Sequence, residues 1–185
     1  MEQNANESTG QPEWYALRDF RPANTRQTAY DALRQRGVDC YTPMIWKIAA
    51  DRTGRRRRVR RPVIADLLFA KGTREELDPV IKAVGRLQYR FRRGAGPQNL
   101  MTVPMEEMER FIAATETDER PIFFRPHEIT PSMYGREIKI NGGPLHGIMG
   151  RLLKMRGSRT RRLIVEIPDF LIAAVEVEPD FIELM

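Results

Sequence analysis

The chain has 185 residues, of which 41% are hydrophobic and 30% charged, enough apolar material for one domain or two small ones. No apolar run approaches the roughly 20 residues of a membrane span, so no membrane contact is expected, and a single cysteine makes the cytosol the expected compartment. The formal charge of +6 is unevenly spread: residues 14–114 carry 21 Lys/Arg against 11 Asp/Glu, which points to a polyanionic partner near that region.

Residues 1–13 (MEQNANESTGQPE) are polar and include Glu2, Glu7 and Glu13. They lack the basic and apolar stretches of a secretory signal and read as a disordered tail. Trp14 to Phe20 (WYALRDF) then begins a first strand. Asn24 is the expected N-cap of a helix that runs through Arg36 and stops at Gly37. Residues 38–48 (VDCYTPMIWKI) read as extended, with a bend or edge at Pro43. Residues 51–61 (DRTGRRRRVRR) form a turn with a basic arm. Residues 63–70 (VIADLLFA) are an apolar, central strand. Thr73 and Glu76 make a capping-box pattern, followed by Leu77, Val80, Ile81 and Val84 at helical spacing and by a stop at Gly85. Leu87, Tyr89 and Phe91 alternate as in a half-buried strand. The sequence GAGP turns the chain toward a return strand at 100–103. Pro104 suits the first turn of a third helix, whose apolar stripe is Met105, Met108, Phe111 and Ile112. Over residues 14–114 this order describes an α+β domain, an antiparallel sheet with flanking helices.

Residues 115–130 have linker composition, although Ile122, Phe123 and Phe124 are more apolar than a solvated linker needs. Residues 131–185 then change character. Six glycines fall between Gly135 and Gly157, separated by short aliphatic segments. Such spacing predicts short strands joined by tight turns, closed into a small all-β, SH3-like barrel. Its expected strands are 138–140, 151–154, 163–167 and 173–177, with 181–184 as the closing strand.

Candidate chemistry is sparse. Cys40 is the only cysteine, so an internal disulfide is impossible; a buried structural thiol is expected. Two histidines, His127 and His146, cannot make a structural zinc site with one cysteine unless carboxylates join them. Nucleophile–base pairs and cofactor loops are absent, so no enzyme, cofactor or metal is expected. GGPLHG lacks the helix and the Lys-Ser/Thr ending of a phosphate loop. His146 reads as an exposed turn residue. The arginine cluster is more specific: Arg52, Arg55, Arg56, Arg57, Arg58, Arg60 and Arg61 exceed what solubility needs. Arginine grips phosphate through a planar fork, so this arm reads as either a nucleic-acid contact or a solvated hairpin. Arg90, Arg92 and Arg93 either extend the patch or line the solvent side of their strand.

Trp14-Tyr15 opening a strand, a helix ending near Gly37 and a strand with Tyr41, Pro43 and Met44 resemble the N-terminal (NGN) domain of the NusG family of transcription elongation factors. IKINGGPLHGIMGRLLKMRG resembles that family's KOW domain. The resemblance covers residues 14–185, with a KOW domain at 131–185. One departure is informative. The family's strand resembling PLFPGYVFV is here Pro62-Val63-Ile64-Ala65-Asp66-Leu67-Leu68-Phe69-Ala70, so its Pro-Gly-Tyr core is replaced by Ala65-Asp66-Leu67. That form is similar to specialised antiterminator paralogues of Bacteroides-type bacteria, which act on capsular polysaccharide operons.

The resemblance implies a monomeric elongation or antitermination factor that suppresses pausing or termination. The RNA polymerase clamp helices would dock on Ile64, Ala65, Leu67 and Tyr89, bordered by Trp14, Tyr41, Pro43 and Met44. Trp14 reads as core, whereas Leu67 and Tyr89 remain open between surface and core. The arginine hairpin would lie beside upstream DNA or nascent RNA. The turn of Gly142, Gly143, Pro144, Leu145, His146, Gly147 and Ile148 would meet termination factor Rho or a ribosomal protein. The alternative is a KOW-containing RNA- or ribosome-associated protein without polymerase contact.

Overall fold

A computed structural model describes residues 10–20, 28–50, 53–92 and 99–185. The fold is mixed α+β, with three α-helices and antiparallel sheets among the described residues. It divides into two compact units, one drawn from Met1–Thr42 and Ile64–Pro104, the other from Pro43–Val63 and Met105–Met185.

The first unit is built around β1 (Glu13–Asp19). The next elements are α1 (Ala29–Arg34) and β2 (Cys40–Tyr41). β3 (Met44–Ala50) and β4 (Arg56–Pro62) intervene in sequence but belong to the second unit. The first unit then resumes with β5 (Leu67–Gly72), α2 (Arg74–Val84), β6 (Leu87–Tyr89) and β7 (Thr102–Val103). β5 pairs antiparallel with β1 on one side and with β2 on the other. On the opposite edge of β1, β6 pairs with Leu17–Asp19 and β7 with Trp14 and Tyr15, so two short strands share one edge. Tyr15 and Leu17 of β1 and Leu68 and Ala70 of β5 project from one face. They form a core with Ala29 and Leu33 of α1 and Leu77 and Ile81 of α2. Trp14, Ala16, Leu67 and Phe69, on the other face, are buried too. Burial on both faces is why these strands are nearly continuous apolar runs.

Local signals explain the helix limits. Thr73 and Glu76 form the expected capping box, and Gly85 stops α2 in the left-handed conformation. For α1 the cap is Thr28, with Asp31 closing its box; the expected cap, Asn24, lies outside the described residues. The apolar strand begins at Leu67 instead of Val63, because residues 63–66 form a bend and turn. The expected GAGP turn and the first nine residues of the expected tail lie outside the described residues.

The second unit contains α3 (Met105–Thr117), β8 (Ile122–Phe124), β9 (Tyr134–Ile140), β10 (Met149–Leu153), β11 (Arg162–Ile167), β12 (Leu171–Glu176) and β13 (Ile182–Leu184). The last six form one antiparallel sheet in the order β13-β9-β10-β11-β12-β8. Its outer strands, β13 and β8, do not pair with each other, so the expected barrel is instead an open sheet. The physical reason lies in the expected linker. Ile122 and Phe123 extend the sheet beyond β12, pairing with Ala174 and Ala173, and β8 takes the edge that closure would have used. The expected boundary at Ala114 falls inside α3, which packs on β11 and β12. Phe111 of α3 meets Phe123 at 6.4 Å between ring centroids. Ile164, Ile172 and Ala174 build a core with Ile129 and Leu153, joined by Ile122 and Phe124.

Candidate nucleic-acid interface

The arginine segment is a strand, not only a turn. β4 pairs along its whole length with β3, from Met44↔Pro62 to Ala50↔Arg56, and the two make an isolated two-stranded ribbon. Residues directly opposite share a face. One face therefore carries Trp46 with Arg60, Ile48 with Arg58, and Ala50 with Arg56; the other carries Ile45 with Arg61, Lys47 with Val59, and Ala49 with Arg57. Arginines project from both faces. Arg55, Arg56, Arg57, Arg58, Arg60 and Arg61 are all exposed, and Arg52 lies outside the described residues.

Several arginines outside the ribbon are ion-paired with carboxylates. Arg18 and Arg90 both bind Asp66, at 3.1 and 3.0 Å. Arg74 binds Asp78 through both carboxylate oxygens. Arg86 meets Asp19 at 3.2 Å, Arg151 meets Glu137 at 2.7 Å, and Arg162 meets Asp118 at 3.5 Å. Among the described residues, no carboxylate is ion-paired with Arg56, Arg58, Arg60 or Arg61. Arginine chemistry suits these four exposed side chains to a bidentate grip on phosphate. Arg90 is engaged within its own unit by the Asp66 carboxylate and by the carbonyls of Leu17 and Asp66. Arg93 is outside the described residues.

Sequence reasoning passed over Trp46. It is 50% exposed, with Arg58 and Arg60 guanidinium carbons 4.9 and 5.9 Å from its ring centroid. The available signal was a tryptophan inside a strand that leads directly into the basic run.

The positions assigned to clamp docking separate by burial. Ala65 is exposed, whereas Ile64, Tyr41, Met44 and Tyr89 are half-buried. Trp14, Pro43 and Leu67 are buried. Tyr89 is engaged within its own unit. Its hydroxyl donates to Asp78 at 2.8 Å, Arg74 covers its ring at 4.7 Å, and Tyr15 meets it edge-on at 5.5 Å. Burial first, and then the Asp78 hydrogen bond, push the Tyr89 phenol above its ordinary value. The Arg74 hydrogen bonds in turn hold the Asp78 carboxyl below the usual range. Cys40 is buried, and desolvation pushes its thiol up to about 12, which suits a structural thiol.

The glycine-rich turn folds around Leu145, which is buried, while Pro144, His146 and Gly147 are exposed and Ile148 is half-buried. The Gly142 N–H donates to His146 Nδ1 at 3.0 Å. Gly142 and Gly143 have φ of +130° and +61°, and a Cβ on either would strike the Phe181 ring at 2.6 and 2.9 Å. These two positions require glycine for conformation and for space.

Among the described residues no cluster of three or more His, Cys, Asp or Glu could hold a metal ion, and no helix is long and apolar enough to cross a membrane. The chain matches no protein-family model, and no curated protein shows significant similarity to it.

Proposed function

We propose that the chain is a non-enzymatic transcription elongation or antitermination factor of the NusG kind, with an NGN-like first domain and a KOW-like second. In this reading it binds the RNA polymerase clamp and lays its basic ribbon against upstream DNA or nascent RNA, suppressing pausing or termination, with polysaccharide operons as the targets. The observation that carries the nucleic-acid part is the ribbon itself, which lines up the exposed Arg56, Arg58, Arg60 and Arg61 on one strand with no carboxylate ion-paired to them among the described residues. A polyanion is the partner that such charge recruits most strongly. The clamp-docking part rests on the NGN-like resemblance of residues 14–114. Ala65 is the exposed member of that set, so Ala65→Glu alters the surface without disturbing buried Leu67.

Retention of the chain on purified core RNA polymerase tests this. Wild type should be retained, and Ala65→Glu should be released with an unchanged circular dichroism spectrum. A folded wild type that core polymerase does not retain would refute the polymerase part. The second reading, an RNA- or ribosome-associated protein acting without polymerase, is favoured by the same unpaired arginines, which suit free structured RNA equally well. Stable binding to RNA without polymerase retention would select it.

A further inference from the structure

Single exposed apolar side chains are ordinary, whereas exposed apolar residues that adjoin on one face are informative. Trp46 is half exposed, and the next residue on its face, Ile48, is 73% exposed. Arg56, Arg58 and Arg60 follow one another on that same face of β4, spaced by about 6.8 Å along the strand. One side of the ribbon thus combines an indole plane, a row of guanidinium groups without carboxylate partners and an apolar contact point. Phosphate binding alone would require only the arginines.

We propose that Trp46 is a stacking platform for one unpaired base of single-stranded nucleic acid, with Arg58 and Arg60 holding the flanking phosphates; this rests on the ribbon being the nucleic-acid interface. In a duplex each base face is covered by its neighbours, and a surface indole meets only edges and backbone. A single strand presents open π-faces, and stacking on them tolerates any base. Arg58 and Arg60, already over the indole, stand within side-chain reach of the phosphates on either side of a stacked base. Ile48 supplies contact for the adjacent base. Trp46, Ile48, Arg58 and Arg60 line one side of a groove whose other side carries Glu116, Asp118, Glu119 and Arg120. Asp118 is occupied by Arg162 and by the Glu176 N–H at 2.8 Å.

The test uses the whole chain with mixed-sequence single-stranded DNA, the same sequence as RNA, and the DNA duplex, by fluorescence anisotropy between about 50 and 200 mM salt. Trp46→Ala should weaken single-strand binding about tenfold, with unchanged salt slope and unchanged duplex affinity, and Trp46→Phe should restore most of the loss. Single-strand binding should quench tryptophan fluorescence in wild type but not in Trp46→Phe, whose remaining Trp14 is buried. The tighter of the DNA and RNA arms identifies the strand used. Salt-dependent binding by wild type that Trp46→Ala leaves unchanged would overturn the stacking inference while leaving the interface standing. A wild type that binds no nucleic acid in any arm would remove both.

Discussion

Arg86 and Arg162 are 12% and 15% exposed in their side chains, each within reach of a carboxylate that is itself 10% exposed. Arg56, Arg58, Arg60 and Arg61 are exposed on a ribbon with no such partner among the described residues. The same residue type therefore does two jobs in one chain. In the body of the units, Arg86 and Arg162 neutralise the largely buried acids Asp19 and Asp118, and Arg18 and Arg90 share Asp66. On the ribbon, arginine leaves positive charge available to something outside the chain. The sign of the net charge does not distinguish these uses; pairing and burial do.

Breaking the buried set should show the largest effects, and those effects should be on stability. Arg86→Met leaves Asp19 buried without its partner, and urea denaturation should register a loss of about 3 kcal/mol. Leu67→Ala, at a fully packed strand position, should lower stability by about 2–4 kcal/mol in the same assay, which separates its core role from surface docking. Gly142→Ala forces a Cβ against the Phe181 ring at a φ that favours glycine, with an expected loss of about 1–2 kcal/mol.

A smaller, pH-dependent effect tests the Tyr89 network. Its phenol is raised in the folded state, so the unfolded chain loses that proton first. Stability from this group is fully present below pH about 10 and falls as pH rises through the higher folded value. Tyr89→Phe should blunt alkaline destabilisation above pH about 10, read as a shift in the urea midpoint. The smallest stability effects are expected on the ribbon. Arg56→Gln or Arg61→Gln should change stability by less than about 0.5 kcal/mol while lowering the salt slope of nucleic-acid binding by about one each.

Legibility from sequence followed the range of the interaction. The α2 capping box and its Gly85 stop are local, and Thr73, Glu76 and Gly85 announce them directly. The cap of α1 was displaced to Thr28 because its box closes with Asp31, a shorter acid than the Glu of the usual pattern. The return strand β4 was hidden since RRRVRR has no apolar alternation; its pairing becomes visible only against MIWKIAA of β3. Ile122–Phe124 looked too apolar for a linker, and the sheet edge at β12 accounts for them. The open edge depends on β8 pairing with β12, and glycine spacing carries no information about that. Asp66, noted only as a departure from a family pattern, anchors both Arg18 and Arg90; residues 48 and 24 positions apart along the chain give no local sign of meeting.

The most direct test places the two arginine sets side by side in one binding experiment. Binding of a single-stranded oligonucleotide would be measured across salt for wild type, for Arg56→Gln/Arg58→Gln/Arg60→Gln/Arg61→Gln, and for the exposed paired set Arg18→Gln/Arg151→Gln. The expected result is loss of most affinity and a salt slope flattened by about three to four in the ribbon variant, with little change in the paired-set variant. Comparable losses per arginine in both variants would contradict the division between structural and partner-facing arginines.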